Sequence, residues 1–320
     1  MEKKIIIQSE STDRSTDDVV AWLNYFNQLD SIVTFFDDYP ITQFSLDYSD
    51  TELLVNINGN TFSTSDSYWY RRGVFCLNKY LKSKIKGINQ YLSNTQLRSI
   101  SSILDAPLCR CQLNCYRDNY IEKLQMLNDA RKVGLMIPPT LYTDSLDKVR
   151  AFIHQHTSII TKTTIVPFGT VVLDKTYRFA SGTVKFGIDD LNGMPNHFLP
   201  SIFQKYMEKK YEIRTFYLNG MFYSMAIFSQ LNKATQVDCR KETEVSPREV
   251  PYKLPAEYEK KLSHIMDIYS LNSCSIDTIV TPDNEFCFLE INPVGQFQWL
   301  SEKCNYQIEK KIAQYLIQEL

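Results

Sequence analysis

Asn284-Glu285-Phe286-Cys287-Phe288-Leu289-Glu290-Ile291-Asn292-Pro293-Val294-Gly295 is the stretch from which the rest of the chain can be read. Phe286, Phe288 and Ile291 mark a buried strand, yet Glu290 and Asn292 interrupt the apolar run near its end. A buried carboxylate is costly unless it is paired or holds a metal. Side chains at i and i+2 of a strand share a face, so Glu290 and Asn292 would aim together. One carboxylate and one amide carbonyl suit a hard cation such as magnesium, which also keeps waters and substrate phosphates. Upstream, Cys274-Ser275-Ile276-Asp277-Thr278-Ile279-Val280 is another apolar strand interrupted by an acid. The Thr281-Pro282-Asp283-Asn284 turn would join the two as a hairpin and bring Asp277 near Glu290. The alternative is an edge hairpin with solvated acids. Glu290 inside the apolar run, with turn-forming Asn292-Pro293 directly after it, favours the cation site.

Asp277 together with Phe288-Leu289-Glu290-Ile291-Asn292-Pro293-Val294-Gly295 resembles the magnesium-binding end of the ATP-grasp ligases. The continuation Gln296-Phe297-Gln298-Trp299-Leu300 narrows the resemblance to the graspetide synthetases, microviridin-ligase-like enzymes. These close side-chain ester or amide rings in ribosomally made peptides. Within them the chain is most similar in general character to the grasp-with-spasm type of peptide maturase, encoded beside a SPASM-domain protein.

Composition is that of an ordinary soluble globular protein. The 320 residues can bury a sizeable core and suit two or three small domains. Hydrophobic content of 43% and charged content of 22% are those of an ordinary globular chain. With 35 basic and 37 acidic residues there is no basic field calling for nucleic acid or an anionic membrane. No apolar run approaches the roughly 18 residues of a membrane span. Met1-Glu2-Lys3-Lys4 and three isoleucines are too short for a signal peptide, so a cytoplasmic protein is expected. The eight cysteines then read as reduced thiols. Cys109, Cys111 and Cys115 form a C-x-C-x3-C cluster, but zinc sites usually pair C-x2-C units or add histidines. Structural or incidental thiols are the better reading.

In chain order, Ile5 to Ser9 is a buried strand, Asp17 and Asp18 open a helix through Phe26, and Ser31 to Phe36 is the next strand. This β-α-β start predicts a parallel pair. Strands are expected over 42–47 and 52–57, with Asn58-Gly59 as a turn. Tyr68-Trp69-Tyr70-Arg71-Arg72-Gly73 reads as a solvated edge on its own; the synthetases carry a similar W-x-R-R element, and no chemistry is assigned to it. A helical region runs from 77 to 104. The spacing of Ile121, Leu124, Leu127 and Val133 predicts a helix over 118–134, ended by Gly134. A strand then leads to a helix over 145–156, whose His154 and His156 read as structural. In Ser158 to Thr163 a lysine, Lys162, sits within a β-branched strand, where a nearby phosphate would offset its desolvation. Pro167-Phe168-Gly169 is a weak phosphate cradle, a hairpin is expected over 171–186, and Asp189-Asp190 read as a solvated acidic turn. A helix over 256–269 and a terminal one over 307–320 complete the chain.

The resemblance implies an ATP-grasp fold of mixed α/β and α+β architecture. It comprises an N-terminal pre-ATP-grasp α/β domain (1–115), a central domain with a leader-peptide region (116–203), and a C-terminal domain with the magnesium site (204–320). ATP would lie between the last two. The resemblance puts Asp277, Glu290 and Asn292 on magnesium and Lys123 and Lys162 on phosphates. It puts Gln204, Lys205, Tyr206 and Met207 around adenine, and Glu212 on the ribose, with Glu208 as a competitor. Arg214 and Arg240 face the transferred phosphate, although Arg214 and Glu212 share a strand face where an ion pair is the structural alternative. Arg240 stands in Val237-Asp238-Cys239-Arg240, where a cysteine replaces the family's aromatic. Asp189 or Asp190 could meet a basic leader residue. The implied partners are a precursor peptide of leader and core, a SPASM-domain protein, and a second copy in a homodimer. Two rival readings keep the fold: a ligase adding free amino acids to a peptide or protein, and an inert peptide-binding scaffold.

Overall fold

The structure is a computed structural model describing residues 3–37, 40–50, 52–73, 76–77, 83–85, 87–92, 94–95, 111–119, 121–162, 171–172, 178–179, 183–231 and 247–317. Ile5–Ser9, buried at every position, lies between Ile32–Phe36 and Ser67–Tyr70, and Cys111–Leu113 completes the sheet. All of its pairings are parallel, as the β-α-β opening predicts. A continuous isoleucine run fits a strand covered on both faces. The first helix spans Arg14–Tyr25 and starts earlier than Asp17, because Asp13 caps it through a hydrogen bond from the Ser15 amide at 2.8 Å. Asp17 sits in its first turn. The next strands are Phe44–Tyr48, Leu53–Ile57 and Asn60–Ser63, an antiparallel meander turned at Asn58 (φ 51°) and Gly59 (φ 85°). Most of the helical stretch expected over 77–104 lies outside the described residues.

The expected 118–134 helix is shorter, Lys123–Lys132, after a 3-10 turn at Tyr116–Asn119. Asp118 turns its carboxylate back onto the Cys115 amide at 2.7 Å, a local bond that competes with helix formation. Gly134, at φ 81°, ends the element as expected. The second sheet is antiparallel, in the order Thr140–Ser145, His197–Lys205, Ile159–Lys162, Val184–Phe186. The 171–186 hairpin forms only in part. Val171–Val172 pairs with Arg178–Phe179, while Val184–Phe186 joins the larger sheet.

The third sheet is a five-stranded antiparallel one: Arg248–Tyr252, Met221–Phe228, Tyr211–Leu218, Ser273–Val280, Phe286–Asn292. Leu262, Ile265 and Met266 of the Ala256–Tyr269 helix pack with Ile276, Phe288 and Met126 on one side of it. On the other, Ile308, Ile312 and Leu316 of the Ile308–Ile317 helix join Phe216, Val19, Leu23 and Ile5. This second core binds the N-terminal sheet to the five-stranded one, so the acid-bearing hairpin is held between two packed cores. No helix among the described residues is long and apolar enough to cross a membrane.

Candidate active site

The hairpin forms as its sequence predicts, with Asp277 and Glu290 as direct cross-strand partners. The register slips by one residue beside them: Thr278 faces Phe288, leaving Leu289 unpaired. This bulge lets Cys287 and Phe288 be fully buried while Glu290 and Asn292 both turn to the open side. The strand is locked from behind by Met136, whose carbonyl accepts the Phe288 amide at 2.8 Å.

Lys123, the first residue of its helix, places Nζ 3.0 Å from Glu290 Oε2. Lys162, the last residue of its strand, places Nζ 3.8 Å from the same oxygen. Arg214 Nη1 lies 2.7 Å from Asp277 Oδ1, and its Nη2 donates to the Gln296 carbonyl at 3.2 Å. Two lysines, one arginine and two carboxylates from five elements thus meet in one partly solvated cluster. Arg214 and Glu212 share a strand face but do not pair with each other. Glu212 Oε1 instead accepts from Lys209 Nζ at 2.6 Å and Ser229 Oγ at 2.8 Å. The competing acid Glu208 is exposed.

Gln204 is buried in the strand beside Lys162, since Ile160 and Gln204 are register partners. Its Nε2 donates to Thr140 Oγ1 at 3.0 Å, while its Oε1 is buried without a partner. The backbone of the next residues is fixed by hydrogen bonds from the Lys205 amide to the Pro139 carbonyl and from the Tyr206 amide to the Ser158 carbonyl, both 2.9 Å. Tyr206 and Met207 are half-buried. Lys185 Nζ stands 3.9 Å from the Tyr206 ring centre, and desolvation raises the Tyr206 phenol above its ordinary pKa. Arg240 and the Pro167-Phe168-Gly169 loop lie outside the described residues. Asp189 and Asp190 are exposed, and Asp190 Oδ2 accepts the Gly187 amide at 2.6 Å. Cys111, Cys115, Cys274, Cys287 and Cys304 are buried; Cys109 is outside the described residues.

The residues fit a nucleotide with its cation. Among the described residues, no three His, Cys, Asp or Glu side chains group closely enough to hold a metal unaided. Asp277 and Glu290, as cross-strand partners, with Asn292 exposed two residues on, could supply part of an oxygen set of the kind magnesium completes with waters and phosphate oxygens. Arg214 Nε and Gln204 Oε1 are both buried without hydrogen-bond partners. Orphaned buried polar atoms of this kind mark where another molecule makes the missing bond.

Several residues that shape the site carry little signal in sequence. Lys209, 8% exposed, sits in Glu208-Lys209-Lys210, a triplet that reads as a solvated turn. Arg71 and Asn114 reach the loop after Asn292 from far away in the chain, and Asp13 pairs with Arg71. Of these only the paired arginines Arg71-Arg72 stand out in the sequence, where they read as an edge. Arg71 is in fact 3% exposed.

No protein-family model matches the chain, and no curated protein matches it. Solved structures do. An ATP-grasp ligase associated with ribosomally synthesised, post-translationally modified peptides (RiPPs) from Chryseobacterium gregarium, bound to ADP and a leader and core peptide, is 23% identical. It superposes with a TM-score of 0.79 over 100% of this chain and 98% of that one. The macrocyclase MdnC of Microcystis aeruginosa, bound to its precursor peptide MdnA, is 26% identical with a TM-score of 0.75, over 98% and 99% of the two chains. The D-alanyl-alanine synthetase A of Vibrio cholerae is 12% identical with a TM-score of 0.51, over 100% and 99%. The chain has the ATP-grasp fold, and over its full length it is similar to the RiPP-associated ATP-grasp ligases and macrocyclases.

Proposed function

We propose that the chain is an ADP-forming peptide maturase that uses ATP to close ester or amide links within a ribosomally made precursor. A Glu or Asp side chain of the precursor takes the γ-phosphoryl group of ATP, releasing ADP. A Thr or Ser hydroxyl, or a Lys amine, then attacks the acyl phosphate; phosphate leaves and the peptide is lighter by one water per ring. The observation that carries this reading is the convergence of Lys123, Lys162 and Arg214 on Asp277 and Glu290. That cluster stands in a chain similar end to end to ligases seen with leader and core peptides.

Asp277, Glu290 and Asn292 would hold magnesium, which would supply positive charge to offset the negative charge of transfer. Lys123 and Lys162 exchange Glu290 for phosphate oxygens. Arg214 turns its buried Nε and its fork toward the transferred group, a geometry suited to phosphate, and Arg240 serves the same group. Gln204 to Met207 frame adenine, with the Gln204 carbonyl oxygen as an acceptor. Glu212, held on one oxygen by Lys209 and Ser229, presents its carboxylate to the ribose hydroxyls. Fixed charges in a partly dry site stabilise the transferring group without having to reorganise. The three units 1–115, 116–203 and 204–320, a cytoplasmic homodimer and a SPASM-domain partner belong to the same reading. Incubation with the precursor peptide should stimulate release of ADP and phosphate; stimulation by free amino acids instead would shift the reading to an amino-acid ligase.

A further inference from the structure

Among the described residues Arg71 is the most deeply buried arginine near the site, and it is not part of the reading above. Its guanidinium is divided between two bodies of the protein. Nε meets Asp13 Oδ2 at 3.0 Å, the same residue that caps the first helix. Nη1 donates to the Val294 carbonyl at 2.7 Å and Nη2 to Gln296 Oε1 at 2.8 Å, with Ser15 Oγ a further partner at 3.3 Å. The Phe297 ring lies beneath it, 5.5 Å from the guanidinium carbon. Arg72 adds a bond to the Val294 carbonyl at 3.3 Å and shares Asp13. Asn114 Nδ2 donates to the Pro293 carbonyl at 3.0 Å. Three donors from the N-terminal residues therefore hold the turn Asn292-Pro293-Val294-Gly295-Gln296.

That turn is tight and held from its other side as well. The Gly295 amide bonds the Asn292 carbonyl at 3.0 Å, and the Gln296 carbonyl accepts from Arg214 Nη2 and Ser275 Oγ, each at 3.2 Å. One peptide segment thus joins Asn292 to the Arg214–Asp277 pair, and Arg71 fixes that segment from behind. Burial lowers the Arg71 pKa to about 10, which still leaves a full charge at neutral pH. A buried charge with three separate acceptors is an expensive way to hold a loop that only had to be packed. A planar fork instead fixes direction as well as distance.

Resting on the magnesium and nucleotide reading above, we infer that Arg71 is a positioning residue: held by Asp13, it sets the Val294–Gln296 turn so that Asn292 and Arg214 face the cation and phosphates. It touches neither itself. Groups behind a metal's ligands typically change its affinity by about 10- to 100-fold when replaced.

The test is a magnesium titration of binding of a fluorescent ADP analogue to the full-length protein, with melting temperature measured alongside. Arg71→Lys keeps the charge beside Asp13 but loses the fork; it should raise the magnesium concentration for half-maximal binding by about tenfold or more. Gln296→Met removes one acceptor and leaves the Asp13–Arg71 pair intact; it should shift the midpoint in the same direction and decides the question if Arg71→Lys fails to fold. Saturating magnesium should restore binding in both. A lowered melting temperature with an unmoved magnesium midpoint would overturn the inference and leave Arg71 a fold-holding residue. Absence of magnesium-dependent nucleotide binding in the parent chain would instead remove the reading on which the inference rests.

Discussion

Lys123 and Glu290, far apart in sequence, place Nζ and Oε2 3.0 Å from each other, and Lys162 approaches the same oxygen at 3.8 Å. Glu290 and Lys162 stand out in sequence by local pattern and Lys123 by the family resemblance, and the fold brings the three to one point. In the proposed reading a phosphate would take the place that the Glu290 carboxylate holds between the two lysines.

Glu290→Gln should separate the two roles of that acid. It removes the carboxylate that Lys123 and Lys162 both approach, so ADP binding in the presence of a chelator should be at least as tight as in the parent. Peptide modification should fall by about 100-fold or more, the scale of losing one preorganised electrostatic contact in phosphoryl or acyl transfer. Calorimetry and peptide mass together check the pair of outcomes.

Arg214→Lys keeps a charge near Asp277 but gives up the bond to the Gln296 carbonyl and the unpartnered Nε. The expected result is a fall in kcat of about 10²–10³-fold with a smaller change in nucleotide affinity. Steady-state ADP release at saturating ATP measures it.

Gly295 is required by space. A Cβ there would stand 2.3 Å from Ser275 Cβ and 2.4 Å from its Oγ. Gly295→Ala should cost about 1–3 kcal/mol, the usual range for overpacking. Ser275→Gly in the same chain should recover part of that cost, a non-additive cycle readable in denaturant unfolding.

Alkaline stability follows from the buried thiols and phenols. Burial pushes Cys115 and Cys304 up to about 11 and Cys287 up to about 12, from an ordinary 9.0. It also pushes Tyr252 and Tyr269 to about 12 from 10.0. The folded chain keeps these protons where the unfolded chain releases them. Their contribution is therefore complete below pH 9 and is lost as pH rises from 9 towards 12. Arg71 acts in the opposite sense, but only above about 10. The melting temperature under reducing conditions should fall steadily above pH 9, and a flat profile to pH 11 would contradict the burial of these groups.

What could be read in advance followed from local pattern. The acid-interrupted hairpin, the parallel opening and the lysine inside a β-branched strand each announce themselves within ten residues or so. The departures are also local: the first helix starts at Arg14, capped by Asp13, ahead of the Asp17-Asp18 pair, and the Asp118 side chain bonds back to the Cys115 amide ahead of the Lys123 helix. Illegible were partnerships made by tertiary packing. Nothing in Glu208-Lys209-Lys210 says that the middle lysine is buried on Glu212, and Arg71-Arg72 after three aromatics reads as a solvated edge. The bulge at Leu289 adds a register slip that strict alternation misses, yet it is what turns Glu290 and Asn292 outward together.

The measurement that tests the central claim most directly is the intact mass of the precursor peptide encoded beside this gene, after incubation with the protein, ATP and magnesium. Loss of whole waters that requires ATP and disappears in Glu290→Ala is the expected result, and gentle alkaline hydrolysis reversing it would identify esters. An unchanged peptide mass, with ATP consumed only when free amino acids are supplied, would contradict it.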